Sequence, residues 1–215
     1  MSSVNSGPVQ TAARPYRSTR RQKQAEHTRA DVLAAAVRMF DANGWAGSTI
    51  TAIAKEADVA VETVYSGFGS KKGLLRAAMD VAIVGDAEPI AFADRPEAAA
   101  MGEGDLDTRL AAGTRVTAAV HERSVGVWQA IQQAAGGDPE IEGWRSELEA
   151  NRRLEVVRSL ETITGRAVDD TTADLAWVIL GPEAYLSLTR DRGLDRAAYE
   201  AYIADAMRRL LDLPR

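Results

Sequence analysis

Apolar residues recur along most of this chain at steps of three and four, and no run of them alternates in the way that marks a strand. The spacing predicts a first helix from about Gln22 to Asn43, with Leu33, Val37 and Phe40 as its buried stripe and Gly44 as its stop. Ser48-Thr49 is a helix-start signal, because their hydroxyls can accept from the first free amides of a helix. Ile50, Ile53, Ala54 and Ala57 then share one face. Asp58 stands where the chain must turn, Val59 plugs the angle, and Val61 to Tyr65 form a second short helix. Together these segments make a helix-turn-helix, whose second helix is short enough to lie in the major groove of DNA.

Ser70 caps a further helix, which passes through Leu74, Leu75, Ala78 and Met79 to about Gly85 and joins this unit to the rest of the chain. The segment from Asp86 to Pro96 holds two prolines and reads as a break. Helices follow at about Arg95–Met101, Asp105–Glu122, Ser124–Ala135, Pro139–Thr164, Asp174–Arg190 and Arg196–Leu211, punctuated by Gly102-Glu103-Gly104, Gly136-Gly137-Asp138 and Gly193. The fold class is all-α.

Composition narrows the setting. None of the 215 residues is cysteine, which excludes disulfides and thiolate metal sites and fits a reducing cytoplasm. No apolar run is long enough to span a bilayer, so no membrane partner is expected. Residues 1–21 lack an apolar segment; their Ser, Pro, Gly and Arg content predicts a disordered basic arm, not a secretory signal. The net charge of −5 hides an asymmetry. Residues 1–75 carry a balance of +4 and all four lysines (Lys23, Lys55, Lys71 and Lys72), while the remainder carries −9. A basic front on an acidic body suits a protein that turns one end to nucleic acid.

Over its first third the chain resembles the DNA-binding domain of the TetR (tetracycline-repressor) family of transcriptional regulators. The resemblance rests on the run Leu33-Ala34-Ala35-Ala36-Val37-Arg38-Met39-Phe40, the turn Asn43-Gly44-Trp45, the Ile53-Ala54 pair, Thr63-Val64-Tyr65, Phe68 and Ser70-Lys71. A second, less specific likeness lies in Gly181-Pro182-Glu183-Ala184-Tyr185 and Asp191-Arg192-Gly193. The family's turn usually reads Gly-Val-Ser, and here it is Asp58-Val59-Ala60. Asp tolerates the left-handed backbone that Gly supplies, whereas Ala60 offers no oxygen to cap the recognition helix, a local cost of about 1 kcal/mol. Gly67 stands where the family often has an aromatic, and Glu62 where it often has Gly.

The resemblance implies a three-helix DNA-binding domain at residues 22–75 and a larger helical effector-binding and dimerisation domain at 76–215. On the first, Thr49 and Thr51 can bond phosphate, Val61 can pack on a thymine methyl, and Glu62 can accept from a cytosine amino group. Thr63 and Tyr65 match the family's contact positions, and Lys71, in the first turn of its helix, suits a phosphate. Lys72 reads as a solvated neighbour. Arg14, Arg17, Arg20, Arg21 and Lys23 form an arm able to reach the minor groove.

In the larger domain, His121, Val125, Trp128 and Gln132 fall on one helical face and would suit an organic effector with a few polar handles, with Met101, Trp144 and Trp177 as further candidates. Core packing is the competing reading of the same pattern. Tyr199, Tyr202, Ile203, Ala206, Met207 and Leu210, with Leu175, Val178, Ile179, Tyr185 and Leu186, mark the last two helices. In the family such helices pair with their copies. A dimer also suits the DNA, since two recognition helices about 34 Å apart read successive major grooves of a palindromic operator. Neither His27 nor His121 follows a carboxylate by three residues, and no Gly-rich phosphate loop or Ser elbow is visible. No enzymatic activity, metal or cofactor is therefore expected. The reading is a cytoplasmic homodimeric repressor released by a small-molecule effector, against a helical adaptor or bundle without sequence-specific DNA binding.

Overall fold

A computed structural model describes residues 15–86, 88 and 94–213, with side chains from residue 21 onward. The first helix, α1 (Pro15–Gly47), begins before the expected Gln22 and bends at Gly44, whose φ of 63° is the left-handed backbone that glycine tolerates. The expected arm at residues 1–21 lies largely outside the described residues, including Arg14; nothing is described of the side chains of Arg17 and Arg20. Helices α2 (Ile50–Glu56), α3 (Val61–Phe68) and α4 (Lys71–Val84) complete the N-terminal unit. The expected boundary between residues 75 and 76 falls inside α4.

Beyond it lie α5 (Pro96–Ala100), α6 (Leu106–Ala135), α7 (Pro139–Thr164), α8 (Asp170–Ile179), α9 (Pro182–Leu186), a π-helical turn at Ser187–Asp191, and α10 (Arg196–Leu210). Among the described residues there is no strand, and no helix is long and apolar enough to cross a membrane.

Two of the expected helix divisions differ. The helices expected at Asp105–Glu122 and Ser124–Ala135 are one helix, α6. Arg123 sits within it, and its guanidinium donates to the Ala82 and Ile83 carbonyls at the end of α4, at 3.2 and 3.0 Å. The single helix expected at Asp174–Arg190 is instead interrupted at Gly181-Pro182. Pro182 has no N–H to donate and holds Gly181 extended (φ −85°, ψ 156°), so the chain restarts as α9.

Helix α6 is the common wall. It packs against α1, α4, α5, α7, α9 and α10. Val127, Trp128 and Ile131 on α6 share one buried cluster with Phe40, Ile53, Val64, Leu74 and Leu75, so the N-terminal unit is cored partly by the larger body. A second cluster joins Met101, Leu110, Leu160, Ile163, Ala176 and Met207, and a third joins Ala118, Leu188, Tyr199 and Ile203. The approach of α6 to α1 is closest at Gly126, where an added Cβ would lie 1.8 Å from Asp41 Oδ1 and 2.5 Å from Asp41 Cα. Nearer the end of α6, Gln133 Oε1 accepts from Trp45 N at 2.9 Å, just past the Gly44 bend.

The turn of the helix-turn-helix follows its residue chemistry. Asp58 adopts φ 53°, as the left-handed turn requires, and Val59 is half-buried against the core. Thr49 caps α2 by accepting from Ala52 N at 3.1 Å. Ser48 does not accept from a helix amide: it is buried, and its hydroxyl shares its proton between the Met39 and Gly44 carbonyls at 2.8 and 2.7 Å. Ala60 precedes α3 with no side-chain cap, whereas Ser70 caps α4 through Gly73 N at 3.1 Å.

Gly126→Ala forces α1 and α6 apart and should destabilise the fold by about 1–3 kcal/mol in urea denaturation. Gly143→Ala, on α7 with open space around it, should instead stabilise by about 1 kcal/mol. Ala60→Ser supplies the missing cap and should stabilise the protein by about 1 kcal/mol, read by the same measurement.

Candidate functional site

Helix α3 is held by one side only. Val64 is fully buried, Val61 and Phe68 are half-buried against the same core, and Glu62, Thr63, Tyr65 and Ser66 are exposed. Tyr65 is 51 % exposed. The apolar residues therefore occupy positions one, four and eight of the helix and leave a continuous polar face outward. Arg29 secures the end of α3 from α1: its guanidinium lies 4.4 Å from the centre of the Phe68 ring and donates to the Gly67 carbonyl at 3.1 Å. On α2, Thr51 and Lys55 are exposed one turn apart, and Thr49 is exposed at its start. Lys55 was legible only as a member of the basic front third; its four-residue step from Thr51 is the signal that places it beside the others.

The two lysines at the start of α4 differ from expectation. Lys71 folds back, donating to the Trp45 carbonyl and lying 3.9 Å from the centre of the Trp45 indole ring. Partial burial lowers the pKa of its ammonium. Lys72 is no solvated neighbour: it pairs with Asp138 and Glu140 at the start of α7, both at 2.7 Å, and these partners raise its pKa. Of the seven residues expected at DNA, Thr49, Thr51, Glu62, Thr63 and Tyr65 are thus exposed, Val61 is half-buried in the core, and Lys71 is engaged internally.

A cavity of about 280 Å³ opens between α4, α6, α7 and the α8–α9 corner. Met79 and Ile83 of α4 form one wall, Val116, Val120, His121, Ser124 and Trp128 of α6 another, and Leu148, Arg152 and Val156 of α7 a third. Leu180 and Pro182 close it. Of the seven residues expected to meet an effector, His121 and Trp128 line it. Val125 is half-buried elsewhere on α6, Gln132 is exposed and donates to Glu183 at 3.2 Å, and Met101 lies in the second core cluster. Trp144 packs on the first cluster beneath Arg76, and Trp177 donates to Glu149 at 3.1 Å. On α6 the cavity follows the three-residue step from His121 to Ser124, where the sequence reading took the four-residue step to Val125; a period of 3.6 admits both.

The buried polar groups here are specific. His121 Nδ1 lies 3.0 Å from the Tyr199 hydroxyl, and its ring packs against Tyr185 at 5.2 Å between centres. Burial, aided by the nearby Arg152 charge and opposed by Glu183, pushes the His121 pKa down to about 4, so the ring is neutral at pH 7. Burial raises the Tyr199 pKa in turn. Trp128 Nε1 donates to Glu183 at 2.9 Å. Arg152 pairs with Glu149 at 2.9 Å, donates to the Trp177 carbonyl at 2.8 Å and lies over the Trp177 ring.

Comparison with known proteins bears on both halves. Residues 32–78 match the family model described as bacterial regulatory proteins, tetR family. Among solved structures, a proposed TetR-family transcriptional regulator from Rhodococcus sp. is 17 % identical with a TM-score of 0.64, over 85 % of this chain and 97 % of that one. A member of the TetR family from Streptomyces coelicolor A3 is 23 % identical with a TM-score of 0.59, over 87 % and 99 %. A transcriptional regulator from Rhodococcus sp. Rha1 is 17 % identical with a TM-score of 0.59, over 85 % and 95 %. No curated protein matches the chain. These likenesses extend the shared fold well beyond the matched segment, and residues 32–78 carry the likeness to the tetR family of bacterial regulatory proteins.

Proposed function

We propose that the protein is a cytoplasmic, homodimeric transcriptional repressor that binds a two-fold-symmetric operator and is released by a small molecule held in the α4–α6–α7 cavity. One observation carries the reading: α3 is anchored by Val64 and leaves Glu62, Thr63, Tyr65 and Ser66 outward. In this reading Thr63 and Tyr65, with Glu62, meet base edges, while Thr49, Thr51 and Lys55 meet phosphates and position the helix. Val61 supports the helix from within and reaches a base only with its exposed edge. Lys71 reaches a phosphate by leaving Trp45, an exchange of one partner for another.

A specific site needs more base contacts than one eight-residue helix provides, which is the argument for a dimer. Leu175 and Val178 of α8 and Tyr202 of α10 are 49 %, 61 % and 45 % exposed, an apolar face that pairing with a second copy would cover. Release follows if the ligand prefers an arrangement of the two α3 helices that misfits the operator; a ligand without such preference changes nothing. The cavity touches α4 at Met79 and Ile83, and α4 begins immediately after α3, so α4 is the element through which that preference acts.

Selection from a random duplex pool should return a two-fold-symmetric consensus. If about six phosphates are neutralised, the log–log salt slope should be about −5. Thr63→Ala should broaden the consensus without changing that slope; fragments without bias, or affinity independent of salt, would refute the docking. Val178→Asp should shift the protein from dimer to monomer in sedimentation and weaken operator binding at least tenfold, and a dimer that persists would place the interface elsewhere.

A further inference from the structure

Taking the cavity as the effector site, we infer that it is built for an uncharged, largely apolar molecule carrying one acceptor oxygen, a ketone, ester or amide carbonyl, received by His121 Nε2 and Ser124 Oγ. Tyr199 is fully buried, and its hydroxyl has one partner among the described residues, His121 Nδ1. A buried phenol proton needs an acceptor, so it goes to Nδ1. The neutral imidazole then carries its own proton on Nε2, on the far side of the ring from Tyr199. This N–H has no partner among the described residues, although His121 is only 6 % exposed and lines the cavity. Ser124, one turn further along the same face and 4 % exposed, has a hydroxyl equally without a partner. Two donors on buried residues thus stand one turn apart on the α6 wall, beside Val116, Val120 and Trp128.

Besides Asn151 and Ser159 on α7, whose side chains complete the polar lining, the other polar groups around the cavity are already committed. Arg152 is held by Glu149 and the Trp177 carbonyl, Glu155 by Arg158, the Trp128 indole N–H by Glu183, and the Thr117 hydroxyl by the Gly113 carbonyl. An anionic ligand would have to draw Arg152 from Glu149, an ion pair that is largely shielded from solvent. A carboxylate would also meet Glu149 and Glu155. A neutral carbonyl meets no such cost, and it satisfies donors that otherwise lack a partner. At about 280 Å³ the space lies just below the usual range for ligand pockets, about 300–1,000 Å³, which favours a compact skeleton of one or two rings.

Three probes of one shape separate the alternatives: 2-acetylnaphthalene, 2-isopropenylnaphthalene, which lacks the acceptor, and 2-naphthoate, which is an anion. Their binding to the purified full-length protein is measured by calorimetry at pH 7.5. The ketone should bind roughly five- to tenfold more tightly than the hydrocarbon, the size of one good hydrogen bond, and the carboxylate most weakly. His121→Phe with Tyr199→Phe, which removes both partners and avoids an orphaned hydroxyl, should lower the ketone-to-hydrocarbon ratio to what Ser124 alone supplies while both still bind, and Ser124→Ala added to it should bring the ratio to about one. His121→Gln keeps an N–H donor and should retain part of the preference. Equal binding of ketone and hydrocarbon to the native protein, or tightest binding of the carboxylate, overturns the assignment. Retention of the full preference in the double variant overturns the role of His121. Operator release is read separately by fluorescence anisotropy. A ketone that binds with the predicted preference but never releases the operator sinks the effector reading of the cavity and leaves the recognition chemistry standing. Failure of all three probes to bind sinks both.

Discussion

The organisation of this molecule depends on α6 lying against α1 closely enough that only glycine fits at position 126. That contact puts the side chains of α6 into the same core as the helix-turn-helix. A three-helix unit of the length of α1 to α3 has little apolar surface of its own to bury, and small domains are correspondingly marginal. Here the shortage is met from outside: Val127, Trp128 and Ile131 complete the packing around Phe40, Ile53 and Val64. The unit that carries the outward face of α3 is therefore rigidly referenced to the helix that lines the cavity. Trp128 belongs to both, packing in the shared core and facing the cavity.

This sharing limits how the two regions can communicate. Hydrophobic clusters at crystalline density do not deform smoothly, so a change in the cavity is expressed as a rearrangement of whole helices. The polar joints between the regions are few and of different strength. Gln133 to Trp45 and Arg123 to the end of α4 are hydrogen bonds to backbone groups, whereas Lys72 to Asp138 and Glu140 are ion pairs open to solvent and sensitive to salt. Movement will be taken up first where the joints are solvated.

The helix-turn-helix was legible almost residue by residue, because its signals are local. The Thr49 and Ser70 caps, the left-handed Asp58, the Val59 plug and the uncapped Ala60 each follow from side-chain chemistry within a few positions. What was not legible depends on partners distant in sequence. Nothing near Lys71 or Lys72 announces Trp45 or Asp138, and nothing near Ser48 says that its hydroxyl turns to Met39. The cavity shows the same limit. Helical periodicity selects a face but cannot choose between Ser124 and Val125 at its edge, and it cannot tell that Trp144 and Trp177 face other neighbours. The break at Gly181-Pro182 is signalled by the proline alone, while the apolar spacing continues across it.

The Arg123 guanidinium, clasping the last carbonyls of α4, has a mechanical meaning. A rod fastened at one tip and loaded partway along does not slide; it swings. Met79 lies roughly 7 Å from the fastened end and Lys71 roughly 20 Å, at 1.5 Å of rise per residue. A guest that pushes Met79 sideways by a fraction of an ångström would load the far tip, and the α3 residues attached to it, with nearly three times that displacement, against the solvated Lys72 ion pairs and the buried Leu74 and Leu75 that hold it. The leverage is set by where one arginine sits along its own helix.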